Sequence, residues 1–164
     1  MKTQPTNLFI VDDDELMVTA LKQHLSRKFG DGVHISTFND GDSCLANVNK
    51  ETDIVILDYF MEGKNGLEVL KSIKSINPET KVIMLSSNED IALAVETFRA
   101  GAKDYVIKGP GSWASIAKQV NYILTEPIRI MVREFGISKF MAIFIMVFIT
   151  MGVIVLAVLY YINK

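Results

Sequence analysis

Six residues carry groups suited to handling a phosphoryl group or a hard cation. Asp12, Asp13 and Asp58 supply carboxylates, Lys108 an ammonium, and Ser86 and Tyr105 hydroxyls. Each lies in or next to a short apolar run. Leu8–Val11 leads into Asp12, Ile54–Leu57 into Asp58, Lys81–Leu85 into Ser86, and Tyr105–Ile107 into Lys108. Short β-branched runs that are apolar on both faces read as buried parallel strands. In open α/β sheets, ligands bind beyond the carboxyl ends of such strands. Three adjacent carboxylates repel one another, and a hard divalent cation relieves that repulsion. Mg2+ fits, since it takes oxygen ligands and leaves room for waters and phosphate oxygens. Asp58 would then attack phosphorus to give an aspartyl phosphate. Lys108 would stabilise charge on the phosphoryl oxygens, and Ser86 would donate a hydrogen bond to them.

Each residue alone has a plainer reading. Acids after a strand cap the next helix, and Asp14 and Glu15 suit the positive end of a helix dipole. His24 reads as a helix surface residue and His34 as a strand residue. Cys44, the only cysteine, reads as a small helix residue, and one cysteine excludes an internal disulfide.

The elements that must position these groups follow from periodicity. Leu16, Ala20, Leu21 and Leu25 recur at helical spacing after the first strand, and Gly30 and Gly32 mark that helix's end. Val33–Phe38 alternates and reads as the second strand, followed by a short helix capped by Asn39 or Asp40. Leu67, Leu70, Ile73 and Ile76 form one face of a helix after the third strand, and Asn77-Pro78 ends it. Asn88 is expected to cap the helix that stops at Ala100-Gly101. Ser112 is expected to cap a last helix with Trp113, Ile116, Val120 and Ile123. Five strand–helix alternations imply a doubly wound parallel sheet of flavodoxin-like (βα)5 type, with strand order 2-1-3-4-5. That order sets Asp12 and Asp13 beside Asp58.

Charge is unevenly spread. Residues 1–125 hold 13 lysines and arginines against 17 acids, a net of −4, whereas residues 126–164 are net +2. No basic block suggests nucleic acid, and the acidic balance argues against it.

The motifs together resemble the response-regulator receiver family over roughly residues 6–125. They are the acidic pair Asp12-Asp13, Asp58 followed by Met61 and Gly66, Ser86 with Ser87, and Tyr105 three residues before Lys108 within Gly101–Lys108. Two positions depart from the family pattern. Glu62 replaces the usual proline, and Lys108 is followed by Gly109, with Pro110 one place later. The family's usual cis Lys-Pro bond therefore has no place here. The resemblance implies that Asp13, Asp58 and the Phe60 main-chain carbonyl bind Mg2+, with Asp12 acting mainly through water. It implies that Ser86 and Tyr105 form a switch, and that a sensor histidine kinase or His-containing phosphotransfer protein is the donor. A downstream protein would read a face made by helix four, strand five and helix five. Phe60 is apolar and cannot orient an attacking water, which implies a long-lived phosphoryl group. The chain is expected to be a phosphoacceptor with Mg2+-dependent self-phosphorylation and dephosphorylation chemistry, not a turnover enzyme. A phosphorylation-independent adaptor is the alternative. A phosphatase of the haloacid dehalogenase type would use Asp12-Asp13-Asp14 but leaves Asp58 unexplained.

Phe140–Ile162 is 23 residues without a charge. As a helix it would extend ~34 Å, enough for a bilayer core of ~30 Å. Tyr160 and Tyr161 sit near its far end, and Arg129, Arg133 and Lys139 precede it. The expectation is a receiver over residues 1–125, a juxtamembrane amphipathic connector over 126–139, and a transmembrane helix over 140–162. This describes a single-pass, tail-anchored protein of the bacterial cytoplasmic membrane with its receiver in the cytoplasm.

Overall fold

A computed structural model of the chain describes residues 5–134 and 139–162, with side chains described for 5–126 and 143–162. The elements alternate as β1 (Thr6–Val11), α1 (Glu15–Phe29), β2 (Val33–Phe38), α2 (Gly41–Asn47), β3 (Ile54–Asp58), α3 (Gly66–Ile76), β4 (Lys81–Ser86), α4 (Ile91–Arg99), β5 (Asp104–Ile107), α5 (Ser112–Glu134) and α6 (Lys139–Ile162). All four strand pairings are parallel, and the sheet order is β2-β1-β3-β4-β5. This is the flavodoxin-like order expected from the sequence.

Alternate residues of each central strand feed opposite layers, as the two-residue period of a strand requires. Leu8, Ile10, Ile54, Ile56, Ile83 and Leu85 pack with Val18, Leu21 and Leu25 of α1 and Ile116, Ala117 and Val120 of α5. Phe9, Val11, Val55, Leu57, Val82 and Met84 pack with Cys44 of α2 and Leu67, Val69, Leu70 and Ile73 of α3. Every residue of β3 is buried. With apolar contacts on both sides, the middle of the sheet fixes where the carboxyl ends of the strands stand.

Local chemistry sets the boundaries. The side-chain oxygens of Asp14, Asp40, Asn65 and Asp90 accept main-chain amides at the starts of α1, α2, α3 and α4. Asn88, expected to cap α4, instead accepts the amide of Asp90, so the helix begins two residues later. Leu16, expected on the core face of α1, lies in the first turn and is exposed; the buried stripe is Val18, Leu21 and Leu25. Ile76, at the end of α3, is also largely exposed. α5 continues through Pro127, where the sequence suggested a new segment; an internal proline forgoes one hydrogen bond without ending a helix. The amphipathic face expected over 126–139 falls mostly outside the residues whose side chains are described.

The chain divides into two compact units, Met1–Leu124 and Thr125–Lys164. In the second, Ile143–Ile162 is 20 residues of mean hydropathy 2.8 with none of it buried, long and apolar enough to cross a membrane by length and composition.

Gly66 has no room for a side chain. A Cβ there would stand 2.2 Å from the Asp58 carbonyl oxygen and 2.7 Å from the Tyr59 Cα. Both are main-chain atoms of the strand end and cannot move aside cheaply. Gly66→Ala is expected to cost about 3 kcal/mol in a urea melt of the chain. Gly109→Ala, where a Cβ meets nothing within 4 Å, should stay within about 0.5 kcal/mol of the parent.

Candidate functional site

The sheet order places the ends of β1 and β3 side by side, with Val11 in register with Leu57 and Asp58 with Leu85. Asp12 follows β1, and its amide donates to Phe38 O of β2 at 3.2 Å. The Lys108 amide donates to Ser86 O at 2.7 Å, so the residue after β5 is held to the end of β4. From there the Lys108 side chain reaches across β4. Its Nζ lies 2.7 Å from Asp12 Oδ2 and 2.9 Å from Asp58 Oδ1. Both carboxylates are almost wholly shielded, at 1% and 2% exposure. Apart from this ammonium, neither oxygen has a hydrogen-bond partner among the described residues. The other Asp12 oxygen, Oδ1, accepts the amide of Asp14 at 3.0 Å.

Two carboxylates thus share one ammonium, and one negative charge stays uncompensated. Burial pushes the Asp58 carboxyl up to about 6 from its ordinary 3.8; Lys108 opposes the rise and the Asp12 charge adds to it. Burial works against the Lys108 charge, but its hydrogen bonds to Asp12 and Asp58 outweigh that and raise it.

Asp13 is exposed and completes a group in which one oxygen from each of Asp12, Asp13 and Asp58 lies within 4.8 Å of the others. Opposite ligands of an octahedral Mg2+ stand about 4 Å apart. The all-oxygen donor set, its spacing and its excess negative charge therefore fit that ion. Asp13 Oδ2 accepts the amide of Glu62 at 3.1 Å. Phe60, two residues after Asp58, is half exposed.

Ser86 ends β4, the neighbour of β3, and Tyr105 lies on β5, one strand further; the hydrogen bonds described for their hydroxyls go elsewhere. The buried Ser86 Oγ accepts the Asn88 amide at 3.0 Å. The Tyr105 hydroxyl donates to the Asn88 carbonyl at 2.9 Å. Asn88 thereby joins the two through its own main chain, and Glu62 reaches Asp13 in the same way. Neither link has a signal in residue type, because every residue but proline carries the same amide. His24, expected on a helix surface, is half-buried with its ring 5.8 Å from that of Trp113. α5 covers that side of α1. His34 is exposed on β2. The buried Cys44 thiol is pushed up to about 12 by burial and the Asp40 charge, which keeps it protonated and unreactive.

A doubly wound five-stranded domain with an acidic cluster and a lysine at the carboxyl ends of its strands is the arrangement of a receiver. Residues 8–120 match the family model for the response regulator receiver domain, and the chain belongs to that family. It is 33% identical over 109 residues to the transcriptional regulatory protein ZraR of Klebsiella oxytoca, covering 66% of this chain and 24% of that one. It is 34% identical over 102 residues to the DNA-binding transcriptional regulator NtrC of Salmonella typhimurium, covering 62% and 21%. The chain thus spans about a quarter or less of the length of these two relatives. Among solved structures, a CheY-like receiver domain protein from Methanospirillum hungatei superposes with a TM-score of 0.68 at 22% identity, covering 76% of this chain and 98% of that one. A chain of the CheX–CheY–BeF3–Mg2+ complex from Borrelia burgdorferi superposes at 0.62 and 26% identity, covering 76% and 90%.

The buried charge on Asp58 has a thermodynamic consequence. Between about pH 4 and about pH 6 the unfolded chain has released the Asp58 proton while the folded domain keeps it, so stability falls as pH rises through this window and then levels off. The shift corresponds to roughly 3 kcal/mol. Asp58→Asn is expected to raise the cation-free melting temperature by about 5 °C at neutral pH, a gain that fades toward about pH 4. Thermal melts of parent and variant across that range check it.

Proposed function

We propose that the domain accepts a phosphoryl group on Asp58 and that the altered domain is read by another protein. Phosphorylation and Mg2+ dependence are general to receiver domains. The observation that carries the reading here is the Lys108 ammonium held against buried Asp58 and Asp12, with Asp13 beside them. An Asp58 oxygen attacks phosphorus. The bond from phosphorus to the donor breaks, and the donor, a histidine imidazole of a sensor kinase or phosphotransfer protein, leaves with the electron pair. Asp13, Asp58 and the Phe60 carbonyl would hold Mg2+, with Asp12 acting mainly through water, and the ion would neutralise the acids and the incoming phosphate oxygens. Lys108 turns from the carboxylate to the new phosphoryl oxygens. Phe60 offers no group to orient an attacking water, which favours a long-lived product.

The Asn88 link suggests how occupancy is transmitted. When the Ser86 hydroxyl turns to the phosphoryl group, the Asn88 amide loses its acceptor, and the Asn88 carbonyl that holds Tyr105 moves with it. Tyr105 is then free to turn inward. The surface beside it carries Ile91, Val95 and Phe98 on α4 and Ile107 on β5, all exposed and apolar. That surface suits a protein partner. The relative named for DNA binding, NtrC, is matched over 21% of its length, so no nucleic-acid partner is assigned.

We assign α6 to a membrane. Its 20-residue apolar segment extends ~30 Å, the thickness of a bilayer core. Arg129, Arg133 and Lys139 before it favour a cytoplasmic position for the receiver. A tether of this kind raises the receiver's effective concentration near a membrane-bound kinase or target.

Incubation with Mg2+ and acetyl phosphate should add the mass of one phosphoryl group to the parent and none to Asp58→Ala. No gain in the folded, Mg2+-containing parent would favour the phosphorylation-independent adaptor. The full chain should sediment with membranes and resist high-salt extraction, while a chain lacking residues 139–164 should stay in the supernatant. Equal partition of the two would remove the membrane assignment.

A further inference from the structure

We propose that the main-chain amide of Glu62 is a positioning group for Asp13, fixing this carboxylate for the cation. The inference rests on the reading of the acidic cluster as an Mg2+ site and adds a residue to it. The three acids are not held alike. Asp12 and Asp58 are buried and paired with Lys108, but Asp13 is exposed. The donor described for its carboxylate is the Glu62 amide, 3.1 Å from Oδ2. An exposed aspartate samples several rotamers, and a cation that needs one of them binds more weakly for it. A donor already directed at one oxygen restricts the side chain and leaves the other oxygen open. Such outer donors tune metal affinity by about ten- to a hundredfold.

The amide is itself well placed for this. It belongs to the loop between β3 and α3, which is fastened at both ends. The Tyr59 amide donates to Leu85 O at 2.8 Å and the Gly66 amide to Tyr59 O at 2.9 Å. Midway, Lys64 pairs with Asp42 of α2. Gly66 is pressed against the Asp58 carbonyl. A loop tied at these points presents the amide at a defined position. A proline in place of Glu62 would have no N–H to give, so the device depends on this residue being any amino acid but proline. The Glu62 side chain takes no part.

The test uses the full chain in detergent micelles, titrated with Mg2+ and followed by calorimetry. Glu62→Ala keeps the amide and should bind within about twofold of the parent, whereas Glu62→Pro removes it and should bind about tenfold more weakly. Pro binding as tightly as the parent would overturn the proposal. So would Ala weakened as much as Pro, since the side chain would then be the cause. A parent that binds no Mg2+ would remove the metal reading and this inference with it, a result distinct from the other two. A second measurement does not depend on the proline variant folding. In cation-free protein, the Glu62 amide should exchange with deuterium about tenfold more slowly in the parent than in Asp13→Ala. Equal exchange would overturn the proposal.

Discussion

The structure of the first unit depends on one ammonium group. Lys108 stands between two carboxylates that the sheet has taken out of water, and without it Asp12 and Asp58 would be buried charges with no counterion. Leaving such charges unpaired costs several kcal/mol. The strand order is what allows a single lysine to serve both. β1 and β3 are neighbours, and β5 lies one strand further, beyond β4. Lys108 therefore crosses the end of β4, where the small residue Ser86 stands. Its own amide is pinned to Ser86 O, so the long side chain starts from a fixed point. The compensation is incomplete by one charge, and that shortfall gives the site its appetite for a cation.

Much of this was legible in the sequence, for a physical reason. Parallel strands covered on both faces must be apolar along their length, so Ile54–Asp58 and Lys81–Ser86 appear in the structure with the limits read from the residues alone, and the edge strand Val33–Phe38 does so through its alternation. The side chains of the acidic cluster and Lys108 were legible because their types are unusual at the ends of apolar runs. The misreadings fall where tertiary contacts choose among equivalent residues. Asn88 and Asp90 are both good caps, but the Asn88 side chain takes the Asp90 amide, and Asp90 takes the Ala92 amide that opens α4. Leu16 has the right period for the face of α1 but the wrong place, one turn before the sheet begins to cover it. That Glu62 is not proline was legible, but the partner of its amide was not, since a main-chain donor leaves no mark of what it meets.

The two units use apolar residues in opposite ways. In β3 five consecutive residues are buried, because helices close over both faces of the sheet. In α6 the apolar segment has none of its surface buried. A helix apolar all round suits an apolar medium, and this is the physical content of the membrane assignment proposed for it. The first unit, by contrast, closes its own core and keeps its charge at the rim and in the pocket.

The Asn88 connection has an evolutionary consequence. Ser86 and Tyr105 are joined through the amide and carbonyl of a single residue, and its side chain is not part of the path. The side chain, which accepts the Asp90 amide, is therefore constrained by the start of α4 and not by the link. A substitution there that preserves the start of α4 leaves the main-chain link from Ser86 to Tyr105 in place. The cap of α4 and the link from Ser86 to Tyr105 can therefore change independently, although both pass through one position of the chain.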